Sequence, residues 1–536
     1  MKRPALKDMT LRQKIGQTGF PSPRQLLDSV IEFGGYDKYL QEYPFTGVYL
    51  WRKMWDHKNE TPATPEESAK LWKSVSDACE IPLLVAADGE HGASYLFDEL
   101  HKMPALMALG AAQSAEMAYK RSYYYAKEMK LCGVNWSFSP VFDLCSHLLS
   151  GTIRPMSDNP DKIISMIPHM LKAYEDAGIA STAKHFPGGF GEFRNTHFTN
   201  SVNRMSKEQW YSTYGRIWQA AVDANVPSIM VRHSALPCID DSYAKGTVYR
   251  PASASKKIVD ILRQEMGYKG VIVTDGLSMK AITGAFEHDD MYIECFNAGN
   301  DILLFCSNDY IDVMEKAIAD GRVSMEQLDA SVERILDMKE ALGLFDNPEL
   351  PAPLTEEENA EIANLTYEVA TKAATLINNI GDIIPVNSEK VKNIVIVKIS
   401  GDDDNEAEFD ENLKIMVDTF AGYGVKADIR DGLKSKAETK ELSEQYDLIV
   451  MVTNKTGMPF FFEKKHKSTM MASMSYGAEK TVVIAFGTPA IYYTYFEQSN
   501  AFICTCSVDK GAARAVVDGM MGKFEFVGQV PIKLSL

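Results

Sequence analysis

The strongest constraint on the fold is a regular alternation of short apolar runs and amphipathic stretches through residues 1–345. The runs have the length of buried strands, whereas stretches such as SASKKIVDILRQEMGYKG have the helical spacing of apolar residues and end in glycine. Repeated strand–helix units predict a parallel sheet with helices outside it. The strand candidates are GVYLW (47–51), PLLVAAD (82–88), NWSFSP (135–140), IASTAKHF (179–186), PSIMVRH (227–233), GVIVTD (270–275) and DILLFC (301–306).

The number of these units indicates how the sheet is arranged. Seven or eight units over residues 1–345 favour an α/β fold with a (β/α)8 TIM-like barrel over an open sheet. The Pro- and Glu-rich passage DNPELPAPLTEEENAE follows the last unit, and a helix is predicted from there through about Thr375. We therefore predict a barrel catalytic domain at 1–345 and a linker with a helix at 346–375.

A second, smaller domain is predicted over residues 376–536. It contains four apolar runs, KNIVIVKIS, YDLIVMVTN, KTVVIAFGTP and NAFICTCS, and a helical stretch precedes the second of them. This pattern predicts a C-terminal α/β sandwich domain in which a sheet lies between helices. The acidic segment GDDDNEAEFDEN (401–412) is expected to be a solvated loop.

The net charge and the cysteine content of the chain limit the kinds of binding partner that we expect. The formal net charge of −17 argues against nucleic acid, whose backbone rewards basic surfaces. The chain shows neither a secretory leader nor a run of about 18 apolar residues, and its eight cysteines include no CxxC pair. We expect a cytoplasmic protein without nucleic-acid or membrane partners, with a homodimer as an open alternative. The histidines and cysteines lack metal-ligand spacing, so we expect neither a metal nor a cofactor.

Polar residues collect where the predicted strands end. In a barrel, the loops that leave the carboxyl ends of the strands build the active site. A single aspartate or histidine at such a position is as often a helix cap or a structural residue. Four ends of this kind favour a ligand with many hydroxyl groups, because carboxylates and cationic donors together suit a sugar. These residues are Asp88, Lys184, His185, Arg232, His233 and Asp275.

The same residues carry a family resemblance through residues 9–345. The chain resembles glycoside hydrolase family 3, nearest its β-N-acetylglucosaminidase branch, and the smaller domain resembles the family's second domain more loosely. The segments that carry the resemblance appear in order: MTLRQKIGQ, AADGEHG, MPALMALGAAQSAEMAY, GVNWSFSPVFD, GTIRPMSDNP, AKHFPGG…NTH, GVIVTDGLSMKAI, NAGNDILL and ERILDMKEALGLFD.

The resemblance implies a retaining glycosidase that works through a covalent glycosyl-enzyme intermediate. Asp275 in VTDGLSM matches the family's nucleophile. A carboxylate suits this role because it is ionised at neutral pH and leaves again when water attacks. Arg232 and His233 occupy a strand end that lies near the sugar in relatives. The residues matched to sugar binding are Asp88, Arg154, Lys184 and His185.

The resemblance also implies an unusual acid/base, a histidine two residues after an aspartate on a flexible loop. Here that spacing falls on Asn195 and His197. Histidine, with a reference pKa of about 6.5, can protonate the leaving group and accept a proton from water. The chain departs from the family pattern because Asn195 replaces the aspartate and Phe190 follows Gly189 where the family has histidine. We predict that His197 still serves as the acid/base, with a pH–rate profile shifted towards acid and a slower reaction.

Several alternatives stay open. Glu192 in the same loop and Glu463 in the smaller domain are competing candidates for the acid/base. The main hypothesis is an exo-β-N-acetylhexosaminidase that releases terminal GlcNAc. The alternatives are a β-glucosidase, a glycoside phosphorylase, or a catalytically weak sugar-binding protein in which Asn195 and Phe190 mark lost activity.

Overall fold

The computed structural model of the chain describes residues 2–51, 62–145, 152–189, 194–400, 406–457, 469, 472 and 475–534. The chain forms two compact units. The first consists of Met1–Lys102, Ser122–Asp143 and Ile164–Leu354, and the second of Met103–Arg121, Leu144–Ile163 and Thr355–Leu536. The boundaries inferred from the sequence, 1–345, 346–375 and 376–536, stay a prediction.

Two early segments belong to the second unit because they hydrogen-bond to its C-terminal part. The Ala105 N–H donates to Oγ of Ser507 at 3.1 Å, and the Ile153 N–H donates to the carbonyl of Thr456 at 3.3 Å. A sequence pattern of strands and helices carries no record of such contacts between distant segments.

The described residues of the first unit form ten strands, eight of which build the barrel. The other two, β7 and β8, form an antiparallel hairpin after β6. The strands are β1 (Gly19–Pro21), β2 (Gly47–Leu50), β3 (Leu84–Ala87), β4 (Trp136–Ser137), β5 (Thr182–Phe186), β6 (Ser228–Val231), β7 (Tyr243–Lys245), β8 (Val248–Tyr249), β9 (Val271–Thr274) and β10 (Leu303–Cys306).

Backbone hydrogen bonds join the eight parallel strands into a closed ring. The runs β2–β3–β4 and β5–β6–β9 are hydrogen-bonded sheets, and β10 pairs with β1. Parallel bridges at Trp136–Ala180 and Val273–Ile302 join these pieces. The Thr46 N–H donates to the Gly19 carbonyl at 3.1 Å and connects β2 to β1. The (β/α)8 expectation is therefore confirmed.

All seven predicted barrel strands are present, and the eighth, β1, was missed. Its three residues, Gly-Phe-Pro, are too short and too poor in β-formers to be recognised without their partner strands. The α-helices of the described residues up to position 341 are Leu11–Gln17, Pro23–Phe33, Tyr36–Glu42, Pro65–Asp77, Leu106–Ala112, Ala115–Leu131, Pro160–Ala177, Lys207–Trp210, Arg216–Asp223, Lys256–Asp260, Lys280–Thr283, His288–Asn297, Tyr310–Ala319 and Met325–Ala341.

Aromatic side chains fill part of the barrel interior. Trp136 makes edge contacts with Phe20 and Phe138, with ring centroids 5.9 and 4.8 Å apart. Its indole N–H donates to Oγ of Ser228 at 2.8 Å, so the one polar atom of this buried ring is satisfied. The packed interior leaves the functional groups to the strand ends and the loops beyond them.

The second unit holds a six-stranded sheet in the order β11-β16-β15-β14-β12-β13, with β11 antiparallel to β16 and the other neighbours parallel. The four predicted runs correspond to β12, β14, β15 and β16. The two edge strands were missed because they are polar or half exposed. The strands are β11 (Thr375–Asn379), β12 (Asn393–Ile399), β13 (Lys426–Asp431), β14 (Leu448–Thr453), β15 (Thr481–Ala485) and β16 (Ala501–Cys504).

The loop expected at 401–412 was wrong for its second half. Residues 401–405 lie outside the described part, but Glu406–Gly422 is a helix with Glu406 and Glu408 in its first turn. Acidic side chains stabilise the positive amino end of a helix, so the charge run starts a helix here. The other α-helices among the described residues of this region are Glu356–Ala373, Lys436–Gln445 and Lys510–Met520.

No helix in the described segments is long and apolar enough to cross a membrane. The eight cysteines are free thiols, and seven of them are buried.

Candidate active site

Polar residues predicted from the sequence lie at one edge of the barrel. Strands β5, β6 and β9 are parallel neighbours, so their carboxyl ends lie at the same edge. Hydrogen bonds continue just beyond them: the Arg232 N–H donates to the Phe186 carbonyl at 2.9 Å, and the Asp275 N–H donates to the Val231 carbonyl at 2.8 Å. These bonds set the spacing between the segments that carry His185, Arg232 and Asp275.

Asp275 is a buried carboxylate with 9% of its surface exposed. Burial raises the pKa of this group and is the largest single effect on it. Interactions with His185 and His233 oppose burial, and so do the Gly276 N–H and Arg232. The net pKa of Asp275 lies below its ordinary value, so the site holds a buried carboxylate in its ionised form. A carboxylate of this kind is suited to nucleophilic attack.

His233 is fully buried behind Asp275. Its Nε2 lies 3.0 Å from the carbonyl of Gly276, and its Nδ1 lies 2.7 Å from Oγ of Ser253. A carbonyl only accepts, so Nε2 carries the proton, and Nδ1 of the neutral ring accepts from the serine hydroxyl. Burial is the main cause that lowers the pKa of His233. His233 is therefore linked to the Asp275 segment through Gly276, and its role in sugar binding stays a prediction.

Lys184, in strand β5, links two carboxylates that follow strand β3. The lysine is 2% exposed, and its Nζ lies 2.5 Å from Oδ1 of Asp88 and 2.7 Å from Oε1 of Glu90. Tyr49 donates its hydroxyl proton to Oδ2 of Asp88 at 2.7 Å. The Asp88 side chain keeps 39% of its surface exposed, so this carboxylate remains accessible to a ligand. A fixed set of donors and acceptors suits sugar hydroxyls.

His185 and Arg232 share a carboxylate partner, Asp143. Nδ1 of His185 lies 2.7 Å from Oδ2 of Asp143, and Nη1 of Arg232 lies 3.8 Å from its Oδ1. Gly189 allows the guanidinium to lie close to the backbone, because a Cβ at that position would come within 2.0 Å of Nη1. Asp143 therefore connects two of the groups that lower the pKa of Asp275.

The loop that carries His197 is anchored beside the nucleophile segment. The carbonyls of Thr196 and His197 accept from Ala281 and Lys280, in the short helix that follows Asp275. The His197 side chain is exposed, and its interaction with His233 contributes to lowering the pKa of that ring. The loop thus places a solvent-accessible histidine in the electrostatic surroundings of the buried site.

Asn195 uses its side-chain oxygen within the backbone of the loop. Its Oδ1 accepts from the N–H of His197 at 2.9 Å, and its carbonyl accepts from Phe198 and Thr199. The amide oxygen therefore shapes the turn, and it contacts His197 at the backbone N–H. An aspartate at this position would make the same turn and would also bring a charge.

The remaining sequence candidates are Arg154, Phe190, Glu192 and Glu463. Arg154 belongs to the second unit and is exposed, so its role in sugar binding stays a prediction. Phe190, Glu192 and Glu463 lie outside the described residues. In the part of the chain that is described, no group of three or more His, Cys, Asp or Glu side chains could hold a metal ion.

Sequence reasoning missed three residues of this region, Asp143, Glu90 and Tyr49. Asp143 ends the segment GVNWSFSPVFD, and Glu90 follows Asp88 by two positions, so both had the strand-end location that pointed to other candidates. Tyr49 lies inside strand β2, where an aromatic residue is ordinarily part of the core. Only its hydroxyl contact with Asp88 distinguishes it.

Comparison with known proteins now identifies the family. Residues 10–338 match the family described as "Glycosyl hydrolase family 3 N terminal domain", which is more than half of the chain. The chain belongs to glycoside hydrolase family 3. As a glycosidase of this family it acts on carbohydrate substrates.

Relatives of this family 3 chain have names that span two sugar specificities. It is 27% identical over 412 residues to a beta-N-acetylglucosaminidase/beta-glucosidase of Cellulomonas fimi, and the matched region covers 73% of this chain and 72% of the relative. It is 30% identical over 338 residues to beta-hexosaminidase A of Pseudoalteromonas piscicida, which covers 57% of this chain and 55% of that relative. The chain thus spans about half the length of the second relative.

Solved structures of the family have the same fold. A family 3 beta-N-acetylglucosaminidase from Paenibacillus sp. str. FPU-7 has a TM-score of 0.82 at 22% identity and covers 98% of this chain and 99% of its own. A beta-glucoside phosphorylase has a TM-score of 0.82 at 21% identity and covers 99% of this chain and 94% of its own. A barrel followed by a C-terminal α/β domain is therefore the fold of this family 3 glycosidase.

Proposed function

We propose that this chain is a retaining exo-β-N-acetylhexosaminidase that releases terminal GlcNAc, with Asp275 as the nucleophile. The observation that best supports this proposal is the state of Asp275, which is buried at a strand end and yet has a lowered pKa. Attack by its carboxylate on the anomeric carbon forms a glycosyl ester and expels the leaving group. Water then attacks the same carbon and restores the carboxylate, so the anomeric configuration is retained.

His197 is the proposed acid/base of both steps. Its exposed side chain lies on a loop tied to the helix that follows Asp275, so it can reach a leaving group from solvent. The imidazolium gives its proton to the departing oxygen, and the neutral ring accepts one from the incoming water. Asn195 holds the turn that presents the ring, without adding charge.

The sugar is bound by the groups at the neighbouring strand ends. Asp88 accepts hydrogen bonds from sugar hydroxyls, whereas Lys184 holds Asp88 in place and donates where its protons reach the ligand. His185 and Arg232 act from the strand ends on either side of Asp143, and Arg154 is a further donor. The acetylglucosaminidase part of the Cellulomonas fimi relative's name supports GlcNAc as the sugar, and the name of the Pseudoalteromonas piscicida relative supports a hexosamine.

A panel of p-nitrophenyl β-glycosides tests the proposal. We expect the highest kcat/KM for GlcNAc among GlcNAc, GalNAc, glucose and xylose, and a loss of roughly 10⁴-fold or more in Asp275→Ala. A fluorosugar inactivator should label Asp275, as read by mass spectrometry of the peptide. Preference for glucose would replace the sugar assignment, and turnover by Asp275→Ala at the wild-type rate would overturn the mechanism.

A glycoside phosphorylase is the second candidate, and the acid/base favours it. A carboxylate beside the anomeric centre would repel incoming phosphate, whereas a neutral histidine does not. The proposed acid/base here is a histidine, His197, rather than a carboxylate, and its side chain is exposed. Product analysis in phosphate buffer separates the two reactions, because phosphorolysis yields a sugar 1-phosphate and hydrolysis yields the free sugar.

A catalytically weak sugar-binding protein is the remaining alternative, motivated by Asn195 in place of a carboxylate. It predicts that sugars bind, as measured by calorimetry, while the nitrophenyl panel shows no turnover and the inactivator leaves Asp275 unlabelled. The lowered pKa of Asp275 supports the enzyme instead, because a binding protein has no need of an ionised nucleophile.

A further inference from the structure

Asp143 occupies a junction between two strand ends of the site. Its Oδ2 is 2.7 Å from Nδ1 of His185, and its Oδ1 is 3.8 Å from Nη1 of Arg232. The Asp143 and His185 side chains are each 13% exposed. A hydrogen bond with so little solvent around it is stronger than a surface pair and resists reorientation of either partner.

The backbone leaves these side chains little freedom to separate. The Phe142 N–H donates to the carbonyl of Lys184 at 2.7 Å, and the Lys184 N–H donates to the carbonyl of Pro140 at 3.2 Å. The segment that ends in Asp143 is therefore paired with the strand that ends near His185. On the other side, the carbonyl of His185 accepts from the Gly188 N–H at 2.8 Å.

The hydrogen bond also determines which ring nitrogen of His185 carries a proton. A carboxylate has no proton to give, so Nδ1 must be the donor. Among the described residues, none hydrogen-bonds Nε2 of this ring. Nε2 is thus the atom left for a ligand. The outer partner of a functional histidine sets its tautomer in the same way in metal sites and catalytic triads.

We propose that Asp143 is a positioning residue, which orients His185 and fixes its proton on Nδ1 so that Nε2 faces the sugar. It touches neither the sugar nor the reacting atoms, and it acts through His185. Arg232 restrains the other carboxylate oxygen and keeps Oδ2 directed at the ring. This role rests on the proposed glycosidase function of Asp275.

A mutant cycle on kcat/KM tests whether Asp143 acts through His185. We expect Asp143→Ala to cost about 10- to 100-fold in the wild-type background, as loss of a residue that orients a functional histidine does. In the His185→Ala background the same change should cost less than about 3-fold, because the ring it orients is gone. Equal losses in the two backgrounds, or no loss in either, would overturn the proposal.

A second variant distinguishes the orientation of the His185 ring from the effect of the Asp143 charge, and it keeps the test valid if Asp143→Ala misfolds. Asp143→Asn keeps an oxygen that accepts from Nδ1, so it should retain the Nδ1 proton that Asp143→Ala loses. Side-chain ¹⁵N spectra of the imidazoles, with His185→Ala used to assign the resonance, measure this directly. An unchanged His185 tautomer in folded Asp143→Ala, judged by circular dichroism, would contradict the role.

The matched control is Asp260→Asn, which changes a half-exposed carboxylate paired with the exposed Lys256 on the same helix. It should leave both kcat/KM and the spectrum unchanged. The two readouts also distinguish the failure of this inference from the failure of the proposed function. If the wild type turns over no glycoside, the function fails, whereas the spectrum still reports whether Asp143 fixes the His185 proton.

Discussion

His233 donates a hydrogen bond from Nε2 to the carbonyl of Gly276, 3.0 Å away, while the N–H of that glycine donates to Oδ1 of Asp275 at 2.9 Å. One residue thus connects a buried neutral imidazole to the proposed nucleophile. The backbone at Asp275 and Gly276 is therefore fixed from its buried side, by the fully buried His233.

The first prediction concerns this contact. His233→Ala removes the donor to Gly276 and should lower kcat by about 10- to 100-fold with little change in KM, because the loss concerns the nucleophile rather than sugar binding. His233→Gln offers an amide donor and should recover part of the loss. Steady-state kinetics with the best nitrophenyl glycoside measure both variants. A rise in KM at unchanged kcat would instead indicate a direct contact between His233 and the sugar.

The second prediction concerns the residue beside the proposed acid/base. Asn195→Asp keeps the contact with the His197 N–H and adds a negative charge, which favours the protonated imidazole. The alkaline limb of the kcat/KM profile should move to higher pH. Asn200→Asp, three residues beyond His197, is the matched charge control. Unchanged limbs in Asn195→Asp, or the same shift in both variants, would contradict the assignment of His197.

The third prediction concerns stability at the opposite ends of the strands. Asp301 is fully buried and accepts from Arg334, Ser331 and the Ile272 N–H at 2.7 to 2.9 Å, and it also pairs with Arg263. Asp301→Asn leaves two arginines without their carboxylate and should lower the free energy of unfolding by roughly 3–5 kcal/mol.

Urea unfolding measures this loss. The surface pair Lys256–Asp260, whose carboxylate is half-exposed, provides the comparison, and Asp260→Asn should cost no more than about 1 kcal/mol. Because Asp301 precedes β10 and lies away from the carboxyl ends, activity below the transition should persist in Asp301→Asn. Equal losses in the two variants would mean that the buried network adds nothing beyond a surface pair.

The fourth prediction concerns Lys339, a fully buried amine that donates to Gln17 Oε1 at 2.7 Å and to the Thr46 carbonyl at 3.0 Å. Desolvation lowers the pKa of Lys339 to about 7. Below that pH the lysine is protonated whether folded or unfolded. From there up to its unfolded pKa of about 10.4, only the unfolded chain holds the proton, so stability rises with pH.

Lys339→Met should remove this rise. The free energy of unfolding of the wild type minus that of the variant should increase from pH 7 to 10 by at most about 1.4 kcal/mol per pH unit. Below pH 7 the difference should be flat. Lys256→Met, at an exposed position, controls for the loss of a lysine in general. A flat difference across the whole range would show that Lys339 stays charged in the fold.

Much of the architecture was readable from the sequence because parallel barrel strands are buried on both faces. Such strands are continuous apolar runs, and seven of them stood out between amphipathic helices. The elements that were missed are stabilised by their neighbours instead. Strand β1 is a three-residue Gly-Phe-Pro segment held by β10 and β2, and β13 is a polar edge strand.

The candidate site divides in the same way. The sequence alone determined which residues stand at strand ends, because the end of an apolar run is a local feature, and so it identified Asp275, Lys184 and His185. Only the tertiary structure decided what each of them touches. Asp143 hydrogen-bonds to His185, Glu90 pairs with Lys184, and the neighbouring His233 is fully buried. The physical reason is that a pKa, a tautomer or a hydrogen-bond partner depends on groups that are neighbours in space, and the order of residues along the chain does not contain those distances.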